Sequence, residues 1–403
     1  MTQRKAQLYT DQQLIDALEL NENSIPKTAR YLSNLGKGRV TTQLLRQWIS
    51  RFDHTELGEG FDRAKELVRV RNTQTENSKL RRDVKALGAA VGTKEAMVDA
   101  LAQMAADFPE RPPVDFRAFY GAQAGTPITV ELLLSDLQIG KLSSSYNTEI
   151  ARRRLFEYAR MAMFQIEQKA AAGYRIERIV LGLLGDIIES DKKHENSAKA
   201  TDTSTAEQLY DALAGIFEFV IEPLARLGIP MEVVGIVGNH DWDGHGMNSF
   251  KPGQQMFSWP LYKSMELLTA RCGYSNVGWV IPEGTYAVVD FYGQKAIYEH
   301  GYGTSNTEAS LKKHKVNRAE QEQSYITYLR VGDKHTVTSY NAGQLVVNGA
   351  FFGSGAGGGE YSEIAGYASV PGQWMGFHVK RTKPNMLTLY DSTVIQLGGI
   401  TEQ

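Results

Sequence analysis

The stretch Met231-Glu-Val-Val-Gly-Ile-Val-Gly-Asn-His-Asp241 decides the fold. Its apolar run is too short for a buried helix. It lacks the apolar–polar alternation of a half-solvated strand, so it reads as a strand covered on both faces. Gly238 then lets the backbone turn, and three polar side chains follow at once. Two upstream stretches repeat the pattern. Ile128–Leu134 runs into Ser135-Asp136-Leu137-Gln138, and Arg178–Leu184 runs into Gly185-Asp186-Ile187-Ile188-Glu189. Helices are predicted between them, from about Thr148 to Ala172 and from Thr203 to Leu227. Strands alternating with helices imply parallel pairing, and in open α/β sheets the loops beyond the carboxyl ends of the strands form the crevice. The three polar clusters should therefore meet.

Later strands are expected at Tyr286–Phe291, Lys295–Glu299, Tyr328–Val331, Val337–Tyr340 and Gln344–Val347. The fourth polar cluster, Tyr298-Glu299-His300-Gly301, follows one of them, and Gly332-Asp333-Lys334-His335 follows another. Carboxylate, imidazole and amide oxygen together suit Mn²⁺, Zn²⁺ or Fe²⁺. A buried carboxylate such as Asp186 is costly unless it is paired, and a pair of cations on its two oxygens would offset that cost. Two such ions roughly 3.5–4 Å apart can hold a phosphate and activate water for in-line attack. The glycine-rich run 353–359 lacks the Lys-Ser/Thr of a phosphate-cradling loop and reads as a flexible connection.

These blocks resemble the calcineurin-like metallophosphoesterase superfamily, whose signature is Asp-x-His, Gly-Asp-x-x-Asp/Glu, Gly-Asn-His-Asp/Glu, a lone His, then Gly-His-x-His. The second and third blocks match throughout. The first has Gln138 in place of His, and the last has Asp333 in place of the first His. The resemblance spans about residues 128–350. It implies a four-layer α/β/β/α sandwich, two sheets face to face with helices outside. It implies that Asp186 bridges two divalent ions, that Asp136, Gln138 and His335 hold one, and that Asn239, His300 and Asp333 hold the other. His240 would stay off the metals and donate a proton to the leaving oxygen, with Asp241 orienting its ring. Gln138 and Asp333 move the donor set from nitrogen to oxygen, which favours Mn²⁺ or Mg²⁺ over Zn²⁺. Lys141, Trp242 and His245 are the expected substrate contacts. The form Asp-x-Gln-Ile-Gly-Lys in the first block is similar to a phage-associated, DNA-processing branch of the superfamily.

The front of the chain reads differently. Thr10 caps a helix carrying Leu14, Ile15, Leu18 and Leu20. Pro26 opens a second with Ile25, Ala29, Tyr31 and Leu32, and Thr41 or Thr42 caps a third with Leu44, Leu45, Trp48 and Ile49. Three short helices with glycines before the last suggest a helix-turn-helix, whose third helix would offer Gln43, Arg46, Gln47 and Arg51 to DNA. Residues 1–106 hold 17 Lys+Arg against 13 Asp+Glu, leaving 27 against 33 for the rest of a chain of net charge −2. A basic front on an acidic body favours phosphate partners at the front. The expected divisions are 1–56, a helical unit; 57–112, spacer helices and linker, with a homodimer contact through the spacer; and 113–403, the catalytic domain. One cysteine, Cys272, excludes an internal disulfide. The polar N-terminus and the absence of a long apolar run argue for a cytoplasmic protein without a membrane span, in the bacterial host if the chain is phage-encoded.

These readings lead to a metal-dependent phosphodiesterase acting on DNA, a nuclease. The alternatives are a nucleotide or phosphoprotein phosphatase, and a non-catalytic DNA-binding or assembly protein with a decayed site. His194, His314, Trp374 and His378 read as loop, surface or packing residues.

Overall fold

The computed structural model describes residues 8–21, 24–36, 38–49, 99, 101–103, 125–191, 200–241, 252–353, 370–383 and 386–399. The chain divides into two units, Met1–Asp83 and Val84–Gln403.

The first unit contains α1 (Asp11–Leu20), α2 (Ile25–Asn34) and α3 (Thr42–Ile49). The Thr10 hydroxyl accepts the Gln13 amide at 3.3 Å and the Thr41 hydroxyl accepts that of Leu44 at 3.2 Å, so both threonines cap as expected. Pro26 sits in the first turn of α2, where its missing N–H costs nothing. Leu14, Leu18, Ile25, Ala29, Leu32, Leu45 and Trp48 form the unit's own core. Leu20, expected on the apolar face, is exposed instead, because it ends α1. Gln43 is exposed on α3, the Arg46 and Gln47 backbones lie in α3, and Arg51 lies outside the described residues.

The second unit is a mixed α/β structure with two sheets. The first has strand order β11-β10-β1-β2-β3-β4. Its members are β1 (Thr126–Leu134), β2 (Tyr174–Leu183), β3 (Met231–Gly235), β4 (Val277–Val280), β10 (Gly372–Val379) and β11 (Leu389–Gln396). β1 to β4 run parallel, and β10 inserts antiparallel against β1. The second sheet has order β5-β6-β7-β9-β8, from β5 (Tyr286–Phe291), β6 (Gln294–Glu299), β7 (Ile326–Val331), β8 (Thr338–Tyr340) and β9 (Leu345–Val347). β6, β7 and β9 are mutually parallel.

Alternate residues of β1 separate the layers. Ile128, Val130, Leu132 and Leu134 pack with α4 (Thr148–Ala171), α5 (Thr205–Ile216) and α7 (Ser258–Arg271). Leu133 packs the other way, with Val180, Val234, Val289, Tyr298 and Tyr328 between the sheets. Ile297, Leu329 and Val331 cover the far face of the second sheet together with Leu311 of α8 (Glu308–Gln321). The order is helix, sheet, sheet, helix. The helix expected to run unbroken to Leu227 instead passes through a π-helical turn at Phe217–Ile221 into the short α6 (Glu222–Ala225). Pro223 lacks an amide hydrogen, so the regular ladder cannot continue through it. Cys272 is buried and, as the sole cysteine of the sequence, forms no internal disulfide. The spacer at 57–112 lies outside the described residues, apart from a helical fragment at 99 and 101–103. Among the described residues no helix is long and apolar enough to cross a membrane.

Between the sheets lies a fully buried polar cluster. Arg330 Nε and Nη2 donate to the two oxygens of Glu131 at 2.8 and 3.0 Å, and the Tyr298 hydroxyl and His378 Nε2 meet the same carboxylate at 2.5 and 2.8 Å. His378 stacks on Phe291 with ring centres 3.9 Å apart. Burial would raise the Glu131 carboxyl, but Arg330 and His378 outweigh it and hold it at about 2.

Candidate metal centre

The parallel strands bring the polar clusters to one edge of both sheets. The Asp136 amide donates to Gly185 O at 3.1 Å, and the Gln138 amide donates to Asp186 O at 2.9 Å, so the first two blocks are hydrogen-bonded side by side. Gly185 and Gly238 make the third block fit. A Cβ on Gly238 would stand 2.0 Å from the Asp186 nitrogen, and one on Gly185 would stand 2.6 Å from the Gly238 nitrogen. Gly238→Ala must therefore push the two blocks apart. We expect lowered thermal stability and weakened divalent-ion binding together, readable by circular dichroism melts and calorimetry.

Six non-glycine residues here take left-handed backbone: Asp136, Gln138, Asp186, Ser190, Asp333 and His335, with φ between 41° and 64°. Each such residue costs of order 1 kcal/mol or more, and such strain gathers at functional sites.

Asp136, Asp186 and His300 are buried and offer ligand atoms all within 4.8 Å of one another. His300 Nδ1 lies 2.7 Å from Leu184 O, which fixes the ring and turns Nε2 inward. Three acceptors converge on Nε2: Asn239 Oδ1 at 2.9 Å, Asp186 Oδ2 at 3.2 Å and Asp333 Oδ1 at 3.5 Å. On the other side, His335 Nε2 lies 3.5 Å from Asp136 Oδ1. The Asp333 amide donates to both Asp136 oxygens at 3.2 and 3.1 Å, tying the last block to the first.

Electrostatics match this crowding of acids. Burial, then the neighbouring Asp186 charge, pushes Asp136 up to about 7 against the partial relief of His300. Burial works against a charged His300, but the Asp186, Asp333 and Asp136 carboxylates overcome it and raise the ring well above its ordinary value. Burial likewise opposes ionisation of Asp333, yet His300 and Lys334 hold it at about 2. His335, desolvated by its surroundings, is lowered to about 4 and so offers a neutral ring. Gln138 Oε1 is buried with no hydrogen-bond partner among the described residues. An unpaired buried acceptor beside clustered carboxylates and imidazoles is what a cation site supplies with a ligand, so this donor set fits a divalent ion.

His240 sits at the rim. Its amide donates to Asp186 Oδ1 at 2.7 Å, and its Nε2 lies 3.8 Å from Asp186 Oδ2. Asp241, expected to orient this ring, does something else. Its two oxygens accept the amides of Gly238, Asp186, Ile187 and Ile188 at 2.8 to 3.4 Å, pinning the loops rather than the imidazole. Burial, then Asp186, pushes Asp241 up to about 6. The residue beside His240 Nδ1 is Glu189, with Oε2 at 3.3 Å and its carbonyl at 3.2 Å. Sequence reasoning missed Glu189 as a site residue, although the last position of its block was the available signal. Glu189→Gln should lower turnover about 10–100-fold and leave metal affinity unchanged, because it loosens the ring without touching the ion pocket. Kinetics beside a binding isotherm check this.

Lys141 Nζ lies 4.0 Å from Glu189 Oε2 and 4.7 Å above the Phe352 ring, which also meets the His335 ring edge to face at 4.8 Å. Beneath Asp136, Ser135, Asn348 and Gln373 form a buried network with contacts of 2.6 to 3.0 Å, which sequence reading also missed. Trp242, His245 and His194 lie outside the described residues. His378 and Trp374 are core residues, and His314 pairs with Glu299.

No family model and no curated protein matches the chain. Solved structures do resemble it. They include a Vps29 single mutant from Entamoeba histolytica, 11% identical with a TM-score of 0.27, covering 66% of this chain and 98% of that one. Vacuolar Protein Sorting 29 from Cryptosporidium parvum is 12% identical with a TM-score of 0.29, covering 67% and 98%. A conserved protein described as a predicted phosphoesterase, from Streptococcus pneumoniae TIGR4, is 10% identical with a TM-score of 0.23, covering 66% and 97%. Likenesses this distant identify neither a substrate nor an activity, so the chemistry rests on the residues gathered at the sheet edge.

Proposed function

We propose that the chain is a metal-dependent phosphoesterase of the calcineurin-like type and that its substrate is a DNA phosphodiester. The observation that carries the first part is the convergence of Asp136, Asp186 and His300 with Asn239 and His335 at one edge. In this reading Asp136, Gln138 and His335 hold one divalent ion, Asn239, His300 and Asp333 hold the other, and Asp186 lies between. Bound there, two such ions would neutralise phosphate charge and acidify water. The oxygen-rich set favours Mn²⁺, with Mg²⁺, Fe²⁺ or Zn²⁺ as lesser fits. His240, steadied by Glu189, gives its Nε2 proton to the leaving oxygen. Lys141 meets a non-bridging phosphate oxygen.

The DNA part is supported by the capped three-helix unit, by Gln43 exposed on its third helix, and by the Lys+Arg excess of residues 1–106. The test uses the full chain with Mn²⁺ on single- and double-stranded DNA and on bis-p-nitrophenyl phosphate. Changing Gln43, Arg46, Gln47 and Arg51 together to Ala should weaken DNA cleavage about tenfold or more while sparing the small ester. Hydrolysis of the small ester without cleavage of either DNA would point to a nucleotide or phosphoprotein phosphatase. No hydrolysis of either would leave a non-catalytic binding protein.

A further inference from the structure

The two halves of the site are not alike. In the first, Gln138 Oε1 is a buried acceptor with no hydrogen-bond partner among the described residues, and His335 Nε2 lies 3.5 Å from Asp136 Oδ1. In the second, Asp333 stands where the resembled family has histidine, so a negative charge has been added. The next residue is a lysine, and its ammonium forms an ion pair with Asp333 Oδ2 while the other oxygen faces His300 Nε2 at 3.5 Å. The backbone forces this pairing. The Lys334 amide donates to Gly332 O at 2.8 Å, and Asp333 and His335 on either side both take left-handed φ, of 64° and 59°. The tight turn folds the Lys334 side chain back on its neighbour. About a quarter of that side chain still meets solvent, so it can swing away without crossing the core.

Resting on the two-metal reading above, we propose that Lys334 is an intramolecular counter-cation at the second metal position, which a divalent ion must displace. The halves then load in sequence. The half of Asp136, Gln138 and His335 fills first, since no Lys or Arg among the described residues forms an ion pair with its carboxylate. The half of Asn239, His300 and Asp333 fills at higher ion concentration, since its carboxylate is already neutralised. The pairing of Asp333 with Lys334 keeps the net charge of that position close to that of the histidine it replaces, while making its second ion exchangeable.

The experiment is a Mn²⁺ titration of the chelator-stripped full-length protein by calorimetry, beside Lys334→Met and Lys334→Arg. The wild type should give one tight and one weaker site. Lys334→Met should tighten the weaker site about tenfold or more, because an ammonium within contact distance of the carboxylate no longer opposes a divalent ion. The tight site should change less than the weaker one, because Lys334 pairs with a carboxylate of the weaker half. Lys334→Arg, which keeps the charge, should stay close to wild type. Two sites in the wild type that Lys334→Met leaves unchanged, or a second site that it weakens, would overturn the role of Lys334 and leave the metal site standing. A wild type that takes up no Mn²⁺ would overturn both.

Discussion

Asp186→Asn should abolish Mn²⁺-dependent hydrolysis of bis-p-nitrophenyl phosphate, by about 10³-fold or more, together with most of the bound metal. The substitution is nearly isosteric. An amide oxygen at the same place still accepts the His240 amide that Asp186 Oδ1 accepts at 2.7 Å, and the backbone bonds to Asp241 are untouched. The loss therefore measures charge rather than collapse of the loops. The same carboxylate is one reason Asp136 is held up at about 7. An acid whose folded value is raised from 3.8 is destabilising in its ionised form, and that penalty grows as pH rises from about 4 towards 7. A cation reverses it, because ligands must be deprotonated to bind. In the wild type, the rise in melting temperature on adding Mn²⁺ should be larger at pH 8 than at pH 6, and Asp186→Asn should flatten the difference. An equal rise at both pH values in the wild type would contradict the assignment of Asp136.

The second large effect lies away from the site. Arg330→Met leaves the buried Glu131 carboxylate with Tyr298 and His378 as its partners among the described residues. Removing one member of a buried pair costs about 3–5 kcal/mol, which in a domain of this size lowers the melting temperature by about 6–20 °C. Replacing both, as Glu131→Leu with Arg330→Met, should recover most of the loss, since an apolar pair carries no unsatisfied charge. The pH dependence has a definite sign. Glu131 is depressed from 4.5 to about 2, so its ionised form stabilises the wild type above about pH 4.5, and that contribution is lost as pH falls towards 2. Thermal melts from pH 3 to pH 7 on the three proteins test both statements.

The strands that end in Asp136, Asp186 and Asn239 were legible because strong local signals coincide there: apolar runs, then glycine, then polar residues. β10 and β11 were not. β10 contains Gly372 and Gly376, and its place is set by pairing with β1, more than 230 residues earlier. No window of sequence carries that information. β4 is only four residues long, Val277–Val280, and gives too short a pattern to separate from a loop. The exchange of Asp241 for Glu189 as partner of His240 has a similar cause. Adjacency in sequence favours Asp241, but the turn at Gly238 directs its carboxylate into the amides of the second block, while the following residues of that block bring Glu189 beneath the ring. Glycine predicted the turns at Gly185 and Gly238, yet the left-handed backbone of Asp136, Asp186 and Asp333 has no glycine to announce it.

The position of β1 has a consequence for synthesis of the chain. Among the described residues it is the first strand made, yet it lies inside its sheet, between β2 and β10. While a ribosome is still translating residues before about 380, one edge of β1 has no partner, and Ser135 lacks the Gln373 side chain that receives its amide. The amide that caps the Asp136 carboxylate arrives 197 residues after it. Until β10 is made, a nascent chain thus carries an open, apolar strand edge on β1, and the ion pocket gains its last assigned ligand only with His335, so the interval before residue 380 is one in which the chain needs protection from association.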